Sequence, residues 1–142
     1  MAEKTRGATL RRAIETCIQP TDDAIAKLGE VFTDDVTLWS PNMLAIGLAD
    51  LGENLAFRQT AFSDVDIQFD SLGVFGNTGF AEFRVTATFS GPFVIEEAVV
   101  IDPNGEQLLL GAAAIADFDG GKIKSLRGYF DDASLLEQML PA

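Results

Sequence analysis

Histidine is absent from all 142 residues. Its absence removes Ser-His-Asp and Cys-His nucleophilic catalysis, histidine-ligated zinc and the two-histidine iron sites. Acid–base work would fall to carboxylates, a lysine, the single tyrosine Tyr129 or the single cysteine Cys17. One cysteine cannot form an internal disulfide, so a reducing cytoplasm is the default compartment. No apolar run approaches the roughly 20 residues of a membrane-spanning helix, which argues against a membrane partner. The opening Met1-Ala2-Glu3-Lys4-Thr5-Arg6 lacks the apolar core of a secretion signal. Positive charge is scarce too. Ten basic residues face 22 acidic ones, for a net charge of −12. Lys4, Arg6, Arg11 and Arg12 crowd the first twelve positions, so the rest of the chain is more acidic still. Such a body repels phosphate backbones and argues against nucleic acid as a partner.

What is present is core. Apolar residues make up 47% of the sequence, enough for one folded domain over residues 1–142. Leu10, Ile14, Cys17 and Ile18 repeat at helical spacing and predict a helix over about 8–18, closed by Pro20. Thr21 reads as the N-cap of a second helix running to about Thr33, with Asp22 and Asp23 near its positive end. Val36-Thr37-Leu38-Trp39-Ser40 reads as a strand stopped by Pro41. A loop through Gly47 leads to a third helix, with Asp50 and Glu53 spaced as a capping box and Leu51, Leu55 and Phe62 as its apolar face.

The second half predicts strands at about 65–75, 80–90, 107–118 and 122–130. They are separated by the breakers Gly76-Asn77-Thr78-Gly79, Asp102-Pro103-Asn104-Gly105 and Asp119-Gly120-Gly121. Short turns imply antiparallel neighbours. Val94 to Ile101 fits a further short strand or an irregular excursion. Helices first and a meander after give an α+β class. Strands this long bend rather than lie flat. The expected shape is a cone, a curved antiparallel sheet with helices packed across its concave face.

The strand at 107–118 is apolar on both sides. Leu108, Leu110, Ala112, Ala114 and Ala116 share one face, and Leu109, Gly111, Ala113 and Ile115 the other. Such a strand needs cover twice. Helices supply one cover; a second copy of the chain, in a C2 homodimer through the sheet, is the expected other.

Several short patterns share one family likeness. They are Phe32-x-Asp34-Asp35-Val36, the Pro103-x-Gly105 turn, Gly121-Lys122-Ile123, and Tyr129-x-Asp131 leading into Leu135-Leu136-x-Gln138. Over most of the chain they resemble the SnoaL-like domains of the nuclear transport factor two and ketosteroid isomerase-like superfamily. The resemblance implies the cone fold and a pocket for a small apolar or aromatic carbonyl compound. It implies isomerase, cyclase or hydratase chemistry without a metal or organic cofactor, or a non-catalytic ligand-binding or association module. In the cyclases of this group a catalytic aspartate on the last strand aligns with Gly128, and a histidine with Ala114. Both positions here are small and inert, so that chemistry does not carry over.

The candidate site follows from these positions. Gly128, Ala114 and Ala116 leave volume on the apolar strand faces, and Trp39 could stack on a flat ligand. Tyr129 and Asp131 lie at i, i+2 on one strand face, placed to donate to a carbonyl and to move a proton. Asp131 or Asp132 equally fits a helix cap. The polar excursion Ile95-Glu96-Glu97-Ala98, if it reaches the pocket mouth, offers Glu96 or Glu97 as another base.

Overall fold

The structure, a computed structural model, describes residues 2–96 and 99–140. Helix α1 (Ala2–Ile18) buries Leu10, Ala13 and Ile14 along one stripe. Each such fully buried large side chain contributes about 1.5–3 kcal/mol. Thr21 then caps α2 (Asp22–Ala26), its Oγ1 accepting the Ala24 N–H at 3.1 Å. The expected second helix is broken. Lys27 leaves helical geometry, a single turn α3 (Leu28–Val31) follows, and Phe32 is already extended. Phe32 is fully buried and pairs with Ile123, so strand β1 (Phe32–Ser40) starts four residues before the expected Val36. The sheet contact outweighs the local helical preference.

Pro41 and Asn42 turn the chain into a short strand β2 (Met43–Ile46), where a loop was expected. Gly47, at φ 93°, opens α4 (Leu48–Ala56) without a side-chain cap. Asp50 is not the cap residue. It sits in the first turn and its Oδ2 accepts the Ile46 N–H at 2.9 Å, still satisfying a donor at the helix start. Phe62 belongs not to this helix but to the start of β3 (Phe62–Phe75).

The remaining strands are β4 (Thr78–Phe89), β5 (Phe93–Glu96), β6 (Val99–Ile101), β7 (Gln107–Asp119) and β8 (Lys122–Phe130), followed by α5 (Asp132–Met139). The Val94–Ile101 stretch therefore holds two short strands, β5 and β6, that pair antiparallel with each other. The main sheet has six strands in the order β2-β1-β8-β7-β4-β3. All its pairs are antiparallel except β1 with β8, which run parallel. The fold is α+β, and the sheet curves. Bulges interrupt β3 against β4 and β7 against β8, and Asp64 takes a positive φ of 50° at one of them.

Helix α1 lies across β3, β4, β7 and β8, covering the concave side. Arg6 fastens its start by donating to the carbonyls of Gly120 and Gly76, at 2.9 and 2.8 Å, in two separate hairpin turns. Beyond the end of β8, strand β7 loses a partner at Leu109. The Gln138 side chain of α5 takes that partner's place. It accepts the Leu109 N–H at 2.8 Å and donates to the Leu109 carbonyl at 3.0 Å. A second apolar cluster forms there, around Phe89, Phe93, Leu108, Leu135 and Met139.

Where β4 turns toward β5, the Ser90 and Gly91 N–H groups both donate to the Ala61 carbonyl. A Cβ on Gly91 would lie 1.8 Å from the Thr60 carbonyl oxygen, while one on Gly111 would meet open space. Gly91→Ala is expected to lower the unfolding free energy in urea by about 1–3 kcal/mol through overpacking. Gly111→Ala, mid-strand, is expected to leave it unchanged or raise it by up to about 1 kcal/mol. Equal stability of the two variants would contradict this close approach.

Candidate functional site

Small residues run in a row across the inner face of the sheet. Ala81 pairs with Ala114, and Ala114 with Gly128. A Cβ on Gly128 would lie 3.6 Å from the Ser40 Cβ. Four neighbouring strands thus withhold side-chain volume at one level. The next level toward the second cluster is Phe83, Ala112 and Phe130. One level the other way, Gly79 and Ala116 are filled. A Cβ at Gly79 would stand 3.0 Å from Leu10 of α1, and Ala116 is fully buried.

The result is a cavity of about 190 Å³ between the sheet and the end of α1. Ile14, Cys17 and Ile18 line it from α1; Leu38, Ala112, Ala114 and Gly128 lie on the sheet side, and Phe62 and Phe93 also line it. An apolar cavity of about 150 Å³ accepts benzene. This one suits a substituted single ring.

Its polar groups gather at one corner. Arg58, just after α4, donates through Nη1 to Asn42 Oδ1 at 3.0 Å and through Nη2 to the Asn42 carbonyl. Its guanidinium lies 4.6 Å over the Phe93 ring. Ser40 Oγ donates to the same Asn42 Oδ1 at 3.2 Å. Burial lowers Arg58 to about 10, against an opposing pull from the Asp132 charge, so it remains a cation at neutral pH. Burial pushes the Cys17 thiol up to about 12, so it stays protonated. Among the described residues, no carboxylate lines the cavity, and no three metal-binding side chains cluster. These groups can donate hydrogen bonds and polarise a bound oxygen. None is a proton acceptor suited to neutral pH.

The residues expected from sequence fall in different places. Ala114 and Gly128 line the cavity. Ala116 lies one level away, inside the core. Trp39 and Tyr129 border the cavity, but strand alternation turns their rings to the sheet's outer face. There they pack together at 5.5 Å, each nearly half exposed. Asp131 is exposed and caps α5, Oδ1 accepting the Ser134 N–H at 3.1 Å. Glu97 lies outside the described residues.

Arg58 was not among the sequence candidates. A faint signal exists. It sits within Ala56-Phe57-Arg58-Gln59-Thr60-Ala61-Phe62, an apolar stretch with no acidic residue four positions away to pair with.

A family model described as SnoaL-like polyketide cyclase matches residues 8–139. No curated protein matches the chain. Among solved structures, a Jannaschia sp. CCS1 protein named after the SnoaL-like polyketide cyclases superposes with a TM-score of 0.83 at 16% identity, covering 99% of this chain and 95% of its own. An M. tuberculosis LEH-like epoxide hydrolase gives 0.69 at 11% identity, covering 96% and 90%. A Catenulispora acidiphila DSM 44928 protein with a ketosteroid isomerase-like fold gives 0.71 at 16%, covering 94% and 93%. These likenesses are of fold alone. The family match spans nearly the whole chain, and the chain belongs to the SnoaL-like polyketide cyclase family.

The capping geometry separates two roles for Asp131. Asn caps as well as Asp, whereas Ala does not. Asp131→Ala is expected to cost about 1 kcal/mol in urea unfolding, and Asp131→Asn no more than a few tenths. Neither should change affinity for a ligand in the cavity, read by calorimetric titration. A loss of binding in Asp131→Asn at unchanged stability would contradict the capping assignment.

Proposed function

We propose that this member of the SnoaL-like polyketide cyclase family holds a small apolar or aromatic carbonyl compound in its cavity, and that holding is the task its described residues perform. One observation carries the reading. The cavity is mostly apolar, gathers Arg58, Asn42 and Ser40 at one corner, and is lined by no carboxylate among the described residues. An acid–base isomerase, cyclase or hydratase needs a proton acceptor beside the ligand. Asp131 is engaged by Ser134, and the Tyr129 ring is turned toward Trp39. The non-catalytic binding module is therefore the reading the geometry favours.

The same reading includes a homodimer through the outer sheet face. Leu44, Trp39, Tyr129, Leu109 and Phe80 stand exposed on that face, and Ala113, Gly111 and Ile115 lie between them. Such a patch is uncommon on a monomer. Two ion pairs lie there, Arg84 with Asp70 at 2.9 Å and Arg127 with Asp117 at 2.7 Å, and Glu82 stands exposed opposite Ala113.

Two measurements test these readings. 4-Ethylacetophenone, a single-ring ketone, is expected to bind the wild-type protein in calorimetric titration. Gly128→Val, whose added methyls project into the cavity, is expected to bind it at least about tenfold more weakly while unfolding at a similar urea concentration. Unchanged affinity in Gly128→Val would place the ligand elsewhere. In sedimentation velocity the wild type is expected to run as a dimer of 15.2 kDa chains, and Leu109→Glu as a folded monomer. A wild-type monomer at all concentrations would refute the dimer.

A further inference from the structure

Arginines elsewhere in this chain have evident partners. Arg11 and Arg12 meet Glu15 and Glu30, Arg84 meets Asp70, Arg127 meets Asp117, and Arg6 ties down two turns. Arg58 differs. It lines the cavity, and among the described residues no carboxylate lies within the 4.0 Å of an ion pair. Asp132 acts on it only from beyond that distance. Its two bonds go to one residue, Asn42, and they use two of five guanidinium N–H groups.

The neighbours of Arg58 do not neutralise it. Phe93 offers only a ring face. Asn42 turns its Oδ1 toward both Arg58 and Ser40, which leaves the amide nitrogen as a further donor. The corner therefore presents donors and a positive charge to an otherwise apolar space. A cation held in such a place without a counter-charge is costly, and a bound anion removes much of that cost. Planar two-point pairing with a carboxylate is what a guanidinium does best.

Resting on the pocket reading above, we infer that the ligand is an apolar, single-ring carboxylate whose anionic oxygens pair with Arg58 beside Asn42 while its ring fills the cavity between α1 and the row of small sheet residues. Asp132, whose charge reaches Arg58, opposes an anion there in part; the rest of the acidic exterior acts from farther away. Charges farther than about 8–10 Å are screened at physiological salt. Arg58 acts as a binding residue that selects the ligand by charge; no bond is made or broken in the step. A neutral ketone of the same shape fills the same space and gains the hydrogen bonds without the charge.

The test compares 4-ethylbenzoate with 4-ethylacetophenone, its neutral counterpart, by calorimetric titration at one pH and salt concentration. Wild-type protein is expected to bind the carboxylate about 10- to 100-fold more tightly, the usual gain for a hydrogen bond to a charged group. Arg58→Gln is expected to abolish that preference, with the ketone itself bound no more than about tenfold more weakly, the loss of a neutral hydrogen bond. Arg58→Lys, which keeps the charge and loses the fork, is expected to retain part of the preference. The wild-type comparison stands even if Arg58→Gln does not fold. Ketone binding with no preference for the carboxylate overturns the inference and leaves the pocket reading intact. A preference that survives in Arg58→Gln overturns the role of Arg58. Failure of both probes to bind at their solubility limits overturns the pocket reading and this inference with it.

Discussion

The structure turns on withheld volume. Ala114, Gly128 and Ser40 keep one level of the curved sheet nearly bare; the cavity runs from there over Phe83, Ala112 and Phe130, while on the other side Leu10 and Phe118 cover the Gly79 and Ala116 level. A void of about 190 Å³ follows from that choice. At roughly 24 cal/mol per Å³, a dry void of this size would cost about 4–5 kcal/mol, an upper value where the mouth admits water. Domains of this length hold only about 5–15 kcal/mol in total. Even part of that cost is a large share of the total, which argues that the space has an occupant.

The supporting parts keep that level open. Helix α1 is held at its start by Arg6 across two hairpin turns and packed by Leu10 against Gly79, so its last turn spans the cavity and cannot settle into it. At the other end α5 is fixed by the Asp131 cap and by Gln138, whose amide completes the β7 edge. Between them Arg58 lines the cavity and is held on the Asn42 turn. Its burial, its charge and the lack of an ion-pair partner among the described residues set it apart from the arginines with structural work elsewhere. The polar chemistry of the site is thereby reduced to donors.

Much of this fold was legible in the sequence. The helical repeat of Leu10, Ile14, Cys17 and Ile18, the glycine-bearing turns and the alternation of Phe83, Val85, Ala87 and Phe89 are local signals; they gave the four long strands within three residues and the end of α1, which starts at Ala2, about six residues before the expected start. The small residues Ala114 and Gly128 were legible because alternation assigns a face once a strand is known. The parallel pairing of β1 with β8 was not legible, because it joins segments about 90 residues apart with no turn to announce it. Four-residue β2 carries too few residues for a period. Alternation also turns the Trp39 side chain outward, since Leu38 takes the inner position. Arg58 escaped because its burial comes from Phe93 and Asn42, both far away in the chain or across a turn, and no local pattern encodes that meeting.

The most direct test of the central claim is a crystal structure of the protein with 4-ethylbenzoate bound. The account predicts the ring between Cys17 and Gly128, with the carboxylate at hydrogen-bonding distance from the Arg58 guanidinium. A ligand found on the outer sheet face, or a cavity filled by the protein's own side chains with Arg58 paired to Asp132, would contradict it.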